Sequence, residues 1–309
     1  MHIPSGTSSP IRRRTFFLSL VVFFALQFVA TNAHAQSTGP ANTAKVILIT
    51  GSTDGLGREV ALRLGETGAH IIVHGRNRER GMAVVDEIKK GGKGSAEFFA
   101  ADLGSLANVR AFADTILKHY PHIDVLINNA GVWLREGPRQ TSADGYEMTF
   151  AVNYLAGYLL TKQLLPRMIA SAPSRIINVS SQTQSPLDFN DVLQEKNYSG
   201  QRAYSQSKLA QVMFTIDLAK EVQGRGVTVV ALHPASMMDT HLVAAAGMQP
   251  RSTVDEGAAA LINLVTAPSL TNGMFYNGLR ESRANAQAYD EAARARLRVI
   301  SDSLIARKR

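Results

Sequence analysis

Cysteine is absent from the 309-residue chain. That excludes disulfides, thiolate catalysis and cysteine metal sites, and it lets the chain tolerate an oxidising compartment. No apolar run reaches the ~20 residues that cross a bilayer as a helix. The longest nearly unbroken one, Phe16 to Ala30, has 15. No basic run alternates with aromatics, so the formal charge of +8 reads as a solvated basic surface. No nucleic-acid partner is expected. A mild positive field still favours a phosphate-bearing ligand. After residue 45 there is no internal repeat, low-complexity tract or shift of composition, so one domain is the economical reading.

Residues 1–35 contain no acid, and Arg12, Arg13 and Arg14 supply three of the positive charges. The apolar run follows them, and Ala33-His34-Ala35 then forms a small-x-small site before Gln36. Positive segment, short apolar segment and cleavage site are the three parts of an export signal. Arg13-Arg14-Thr15-Phe16-Phe17-Leu18 partly matches a twin-arginine signal, a route that moves folded, cofactor-loaded proteins. A cleaved signal over 1–35 and a periplasmic location are expected; an uncleaved membrane anchor is the alternative. Residues 36–44 read as a linker, and 45–309 as the folded domain.

From Lys45 onward, short apolar runs alternate with helix-period segments. Strands are expected at 46–49, 69–73, 96–100, 123–127, 175–179 and 227–231, with an edge strand near 273–276. Helices are expected over 56–66, 78–90, 105–120, 143–170, 203–223 and 253–266. Repeated βα units predict an α/β fold, a doubly wound parallel sheet of the Rossmann type. Its ligand crevice lies at the carboxyl ends of the strands, where the strand order switches.

Thr50-Gly51-Ser52-Thr53-Asp54-Gly55-Leu56-Gly57 joins the first strand to the first helix. Glycines permit the tight turn and let a pyrophosphate approach the backbone, and the helix N-terminus offers free N–H groups. A dinucleotide is the expected cofactor. NAD sites usually place an acid after the second strand; here the residues are His74-Gly75-Arg76-Asn77. Arg76 suits a 2′-phosphate, so NADP is preferred over NAD. Asp54 stands where NADP sites often have a basic residue.

Tyr204 and Lys208 are spaced i, i+4 and share one helix face. A nearby cation stabilises phenolate and makes proton transfer with a substrate oxygen feasible. Alone, such a pair is as readily an exposed surface pair.

The Gly-x-x-x-Gly-x-Gly turn after Thr50, Asn128-Asn129-Ala130-Gly131 at the end of the fourth strand and the Tyr204–Lys208 pair together resemble the short-chain dehydrogenase/reductase family. The likeness covers about residues 45–280. It implies a nicotinamide-dependent oxidoreductase of the alcohol dehydrogenase or carbonyl reductase type, with no metal. It implies nucleotide contacts from Gly51 to Gly57 and at Arg76, Asp102, Leu103, Asn129, Ala130, Gly131, Tyr204, Lys208 and Pro234. It further implies that Ser181 binds the substrate oxygen, with Ser180 as the alternative. Asn153, in Val152-Asn153, would support a proton relay; a helix residue bonding to backbone is its other reading. The family's Pro-Gly is here Pro234-Ala235, and Thr240 is loosely matched. His233 reads as a strand-end structural histidine.

Ser181 and Tyr204 are unusually far apart. The intervening Gln182–Arg202, with Asp188-Phe189-Asn190-Asp191 and Tyr198, resembles the retinol-dehydrogenase-like branch and is expected to wall the substrate pocket. Met237–Pro250, with Met238, Leu242, Val243 and Met248, is the expected second wall. Both point to an apolar carbonyl or alcohol as the small-molecule partner, and a homo-oligomer is expected. A silent dinucleotide-binding regulator and an epimerase or dehydratase of the extended branch are the competing readings.

Overall fold

The structure, a computed structural model, describes residues 44–307. Residues 1–35, read as an export signal, and nearly all of 36–44, read as a linker, lie outside the described residues. The chain from Thr43 onward clusters as one compact unit.

The central sheet has the order β3-β2-β1-β4-β5-β6-β7-β8. Its strands are β1 (Val46–Ile49), β2 (His70–Gly75), β3 (Ser95–Ala100), β4 (Val125–Asn128), β5 (Ser174–Val179), β6 (Val227–His233), β7 (Phe275–Asn277) and β8 (Arg280–Ser282). All neighbours pair in parallel except the β7–β8 hairpin. The helices are α1 (Gly55–Glu66), α2 (Arg78–Lys90), α3 (Leu106–His119), α4 (Met148–Phe150), α5 (Ala156–Ala170), α6 (Gly200–Glu221), α7 (His241–Ala245), α8 (Val254–Thr266) and α9 (Glu291–Ala306).

The apolar run Val46-Ile47-Leu48-Ile49 is buried on both faces, as a central parallel strand must be. Because strand side chains alternate, Val46 and Leu48 enter one core with α3, α5, α6 and α9. Ile47 and Ile49 enter the other, with α1, α2 and α8. Helix starts are set locally: Asp54, Asn77, Ser105, Ser199 and Thr253 each accept a hydrogen bond from an amide of the helix they cap. The chain reverses direction across the sheet between β1 and β4, which opens a crevice at their carboxyl ends.

Three differences from the sequence expectation matter. The long helix expected over 143–170 begins only at Met148, and Ala151–Leu155 forms a π-helical turn before α5. Such turns disturb the hydrogen-bond ladder and are common at functional sites; this one carries Asn153. Tyr204 does not begin its helix but sits in the second turn of α6, where it is buried. Helix α9 was not anticipated. It packs its buried Leu297 and Leu304 into the first core, and its Ser301 hydroxyl bonds with that of Tyr154.

Candidate active site

At the end of β1 the chain turns through Gly51, whose φ of +66° favours glycine. A Cβ on Gly57 would stand 2.3 Å from the Gly51 carbonyl oxygen, so α1 can start this close to the turn only without a side chain. Asn129 holds the turn from the far side, its Nδ2 donating to the carbonyls of Thr50 at 2.9 Å and Gly51 at 3.0 Å. His74 holds it from below: the Gly51 amide donates to His74 Nδ1 at 3.1 Å. Burial lowers the His74 pKa to about 4, so the ring is neutral and Nδ1 is an acceptor.

A cleft of about 680 Å³ runs from this turn across the strand ends. Gly51, Thr53, Asp54, Gly55, Leu56, Gly57, Arg76, Asp102, Leu103, Asn129, Ala130, Gly131 and Pro234 line it, as do Ser181, Tyr204 and Lys208. Ser52 is a correction. Its Oγ donates to the Ile49 carbonyl at 2.8 Å, its amide donates to the His74 carbonyl at 2.9 Å, and the residue is fully buried under the turn. With its donors spent on backbone, it braces the turn and does not line the cleft. Arg80 is an addition. It lies four residues after Arg76, lines the same end of the cleft and pairs with Asp54 at 3.4 Å. Two arginines there fit a nucleotide phosphate, and α1 presents its first turn to the cleft as a phosphate-binding helix does.

Tyr204 and Lys208 stand at the other end. Burial pushes the Tyr204 phenol up to about 12, while a hydrogen bond with the Ser181 hydroxyl pulls it back. The phenol is therefore neutral at ordinary pH. Burial lowers the Lys208 ammonium to about 7. Its Nζ lies 5.6 Å from the Tyr204 ring centre and donates to the Val179 carbonyl at 2.9 Å and Gln211 Oε1 at 3.1 Å. Gln211 went unnoticed in the sequence, where a buried glutamine on α6 carries no distinguishing pattern. The two serines separate clearly. Ser180 Oγ donates to the Lys208 carbonyl at 2.7 Å, which leaves Ser181 to face the phenol.

Asn153 is buried behind the cleft wall. Its Oδ1 accepts from the Val132 amide at 2.7 Å; its Nδ2 donates to the Val132 carbonyl at 3.0 Å and Ser207 Oγ at 3.1 Å. The side chain thus clamps the loop after β4 to the middle of α6. His233, lowered to about 4 by burial and then by the Lys208 charge, bonds with Ser236 Oγ at 3.1 Å.

The substrate walls differ from expectation. Of Gln182–Arg202, only Gln182 and Thr183 line the cleft. Leu187 donates its amide to Gln287, and the Arg296 guanidinium of α9 lies 5.1 Å from the Phe189 ring centre. The insert therefore docks largely on the C-terminal region, which a local reading had no means of pairing with it. Met237, Met238, Leu242 and Val243 do line the cleft. Packed against Met237 and Leu242 is a residue the sequence left unmarked: Trp133 stacks on Tyr204 with ring centres 4.7 Å apart and planes 24° apart.

The short chain dehydrogenase family profile matches residues 45–251, and the chain belongs to that family. Retinol dehydrogenase 13 of Mus musculus is 37% identical over 284 residues, 84% of each chain. Retinol dehydrogenase 14 of Homo sapiens is 34% identical, over 84% of this chain and 86% of its own. Among solved structures, a short chain dehydrogenase from Burkholderia cenocepacia in complex with NADP aligns with a TM-score of 0.62 at 27% identity, over 75% of this chain and 95% of its own. A Pseudomonas aeruginosa RhlG/NADP complex aligns with a TM-score of 0.62 at 25% identity, over 76% and 95%. The protein is an NAD(P)-dependent oxidoreductase of the retinol-dehydrogenase-like branch.

Proposed function

We propose that the protein is an NADP(H)-dependent carbonyl reductase or alcohol dehydrogenase acting on an apolar compound. One observation carries this reading: a neutral Tyr204 phenol, beside Ser181 and Lys208, closes the apolar end of a cleft whose opposite end holds Arg76 and Arg80. The named relatives support it, since retinol is an apolar alcohol and the solved neighbours hold NADP.

When bound, the nicotinamide would give a hydride to the substrate carbon in reduction and take one from it in oxidation. The chain does the rest. Ser181 holds the carbonyl oxygen, and Tyr204 gives it a proton during reduction or takes one during oxidation. Lys208 raises the tendency of that phenol to ionise once charged. Asn153 keeps the Val132 loop, and with it the wall over Tyr204, in place.

The test compares NADPH and NADH oxidation over a panel of aliphatic and aromatic carbonyls, for the wild type and Arg76→Ala. Arg76→Ala is expected to raise the KM for NADPH about tenfold and to move that for NADH little. Equal use of both nucleotides, untouched by the substitution, would remove the NADP assignment. Nucleotide binding without turnover across the panel would favour the silent regulator.

For residues 1–35 the proposal is export with cleavage after Ala35, supported by the arginines, the short apolar run and the Ala33-His34-Ala35 site. N-terminal sequencing of the protein from cell fractions tests it. A chain still starting at Met1 in the membrane fraction would establish the anchor instead.

A further inference from the structure

Gln211 lies three residues after Lys208 on α6, so the two side chains share a helix face. Both are buried, and Lys208 lines the cleft while Gln211 stands behind it. The Lys208 Nζ donates to Gln211 Oε1 at 3.1 Å and to the Val179 carbonyl at 2.9 Å. An ammonium has donors and no acceptor, so the amide oxygen is the end of Gln211 that can meet it.

The turn of α6 that carries Gln211 is anchored across the sheet. The Gln211 carbonyl accepts from Thr215 Oγ1 at 2.8 Å, and that oxygen accepts from Asn178 Nδ2 at 2.8 Å. Asn178 Oδ1 accepts from Asn128 Nδ2 at 2.8 Å, which also donates to Thr161 Oγ1 of α5 at 2.9 Å. These four side chains are all buried, and a connected buried network is rigid. Gln211 therefore stands at a fixed place behind the ammonium.

Its lack of charge matters as much as its place. Burial lowers Lys208, and no carboxylate counters it. The titratable groups facing the ammonium are Tyr204 on its own helix and His233 at the end of β6. Burial and then the Lys208 charge keep His233 neutral. Strand β5 and the loop after β4 meet Lys208 with Val179 and Gly131, which bring no charge. A carboxylate at position 211 would form an ion pair, hold the proton on Lys208 and spend its field away from Tyr204.

We propose that Gln211 is a positioning residue of the reaction: its uncharged oxygen holds the Lys208 ammonium beside Tyr204 without neutralising it. This deepens the carbonyl reductase reading and rests on it, because Lys208 acts there through the phenol.

Two substitutions of similar size separate this role from packing. Gln211→Met removes the acceptor, and Gln211→Glu gives it a charge. Lysines isotope-labelled at Cε are followed by NMR against pH, with no nucleotide added. The Lys208 signal is the one missing from Lys208→Met. In Gln211→Met the ammonium loses a charge-assisted hydrogen bond, and its midpoint is expected about one pH unit below that of the wild type. In Gln211→Glu it gains a counter-charge, and the midpoint is expected at least about one pH unit above. Loss of packing would not move the two variants in opposite directions. One midpoint shared by all three proteins, or displacement of both variants the same way, overturns the proposal.

Steady-state NADPH oxidation over the carbonyl panel reads the same groups at work. Charged Lys208 favours ionisation of the phenol, so kcat is expected to fall as pH rises through the Lys208 midpoint. In Gln211→Met that limb is expected about one pH unit lower, which makes kcat about tenfold lower on its alkaline side. In Gln211→Glu the limb is expected to move up. Limbs at the wild-type position in both variants overturn the proposal. If the wild type turned over no carbonyl, the carbonyl reading would fail, while the NMR midpoints would still decide whether Gln211 holds Lys208.

Discussion

Gly51 and Gly57 bring α1 within contact of the β1 turn, where backbone groups dominate and Asn129 and His74 brace them from outside. Across the cleft, Tyr204, Lys208 and Asn153 are side chains on α6 and the π-helical turn, and all three are buried. The nucleotide end is a short stretch of chain in an unusual conformation. The chemical end is an assembly of distant residues whose charges and protons are set by burial. Damage to the first should therefore act on binding, and damage to the second on the rate of chemistry.

The largest expected effect belongs to the chemical end. Tyr204→Phe should lower kcat by about a thousandfold or more, because the proton donor is lost. Its affinity for NADPH, read by quenching of protein fluorescence, should stay close to that of the wild type. A variant with kcat within tenfold of the wild type would contradict the assignment of Tyr204.

Gly57→Ala should do the reverse. The added methyl meets the Gly51 oxygen at 2.3 Å and Asn129 Nδ2 at 2.5 Å, so turn and helix must part. Nucleotide affinity should fall about a hundredfold, and stability by roughly 1–3 kcal/mol. Calorimetric titration with NADPH and a denaturant melt measure both. Unaltered affinity would show that the turn does not hold the nucleotide.

Asn153→Ala sits between the two ends. It strips the Val132 amide and carbonyl of their partners, a cost of roughly 1–3 kcal/mol. Because Trp133 follows directly, kcat should drop about tenfold while NADPH affinity holds. A loss confined to nucleotide binding would place Asn153 with the other half of the cleft.

The effect that is smallest at ordinary pH, and grows only in acid, concerns His74. Its folded pKa of about 4 lies below the ordinary 6.5, so the unfolded chain binds more protons between those values. Stability from the neutral ring is complete above pH 6.5 and is lost as pH falls through 4, amounting to roughly 3 kcal/mol at the acid end. His233 shows the same depression to about 4 and loses stability in the same direction. His74→Asn preserves an acceptor for the Gly51 amide and should remove about half of the slope of melting temperature against pH in that window. An unchanged slope would mean that His74 is not buried neutral.

Much of the nucleotide end was legible because its requirements are local. Glycine spacing and the helix period both act within a dozen residues. Tyr204 and Lys208 were visible as an i, i+4 pair for the same reason. Ser52 was read as part of the cleft because its neighbours in sequence are; only the path of the backbone turns its side chain inward. Arg80 was passed over for want of a reason to weigh one charged residue of α2 above its neighbours.

The sequence by itself determined the alternation of strands and helices, the turn after β1 and the i, i+4 spacing of Tyr204 and Lys208. Hydrophobic period, glycine conformation and side-chain spacing are properties of short stretches of chain. Only the tertiary structure decided which groups are buried together, because burial depends on residues far apart in sequence. It set the phenol near 12 and the lysine near 7, brought Leu187 to Gln287 and Phe189 to Arg296 of α9, and laid Trp133 over Tyr204.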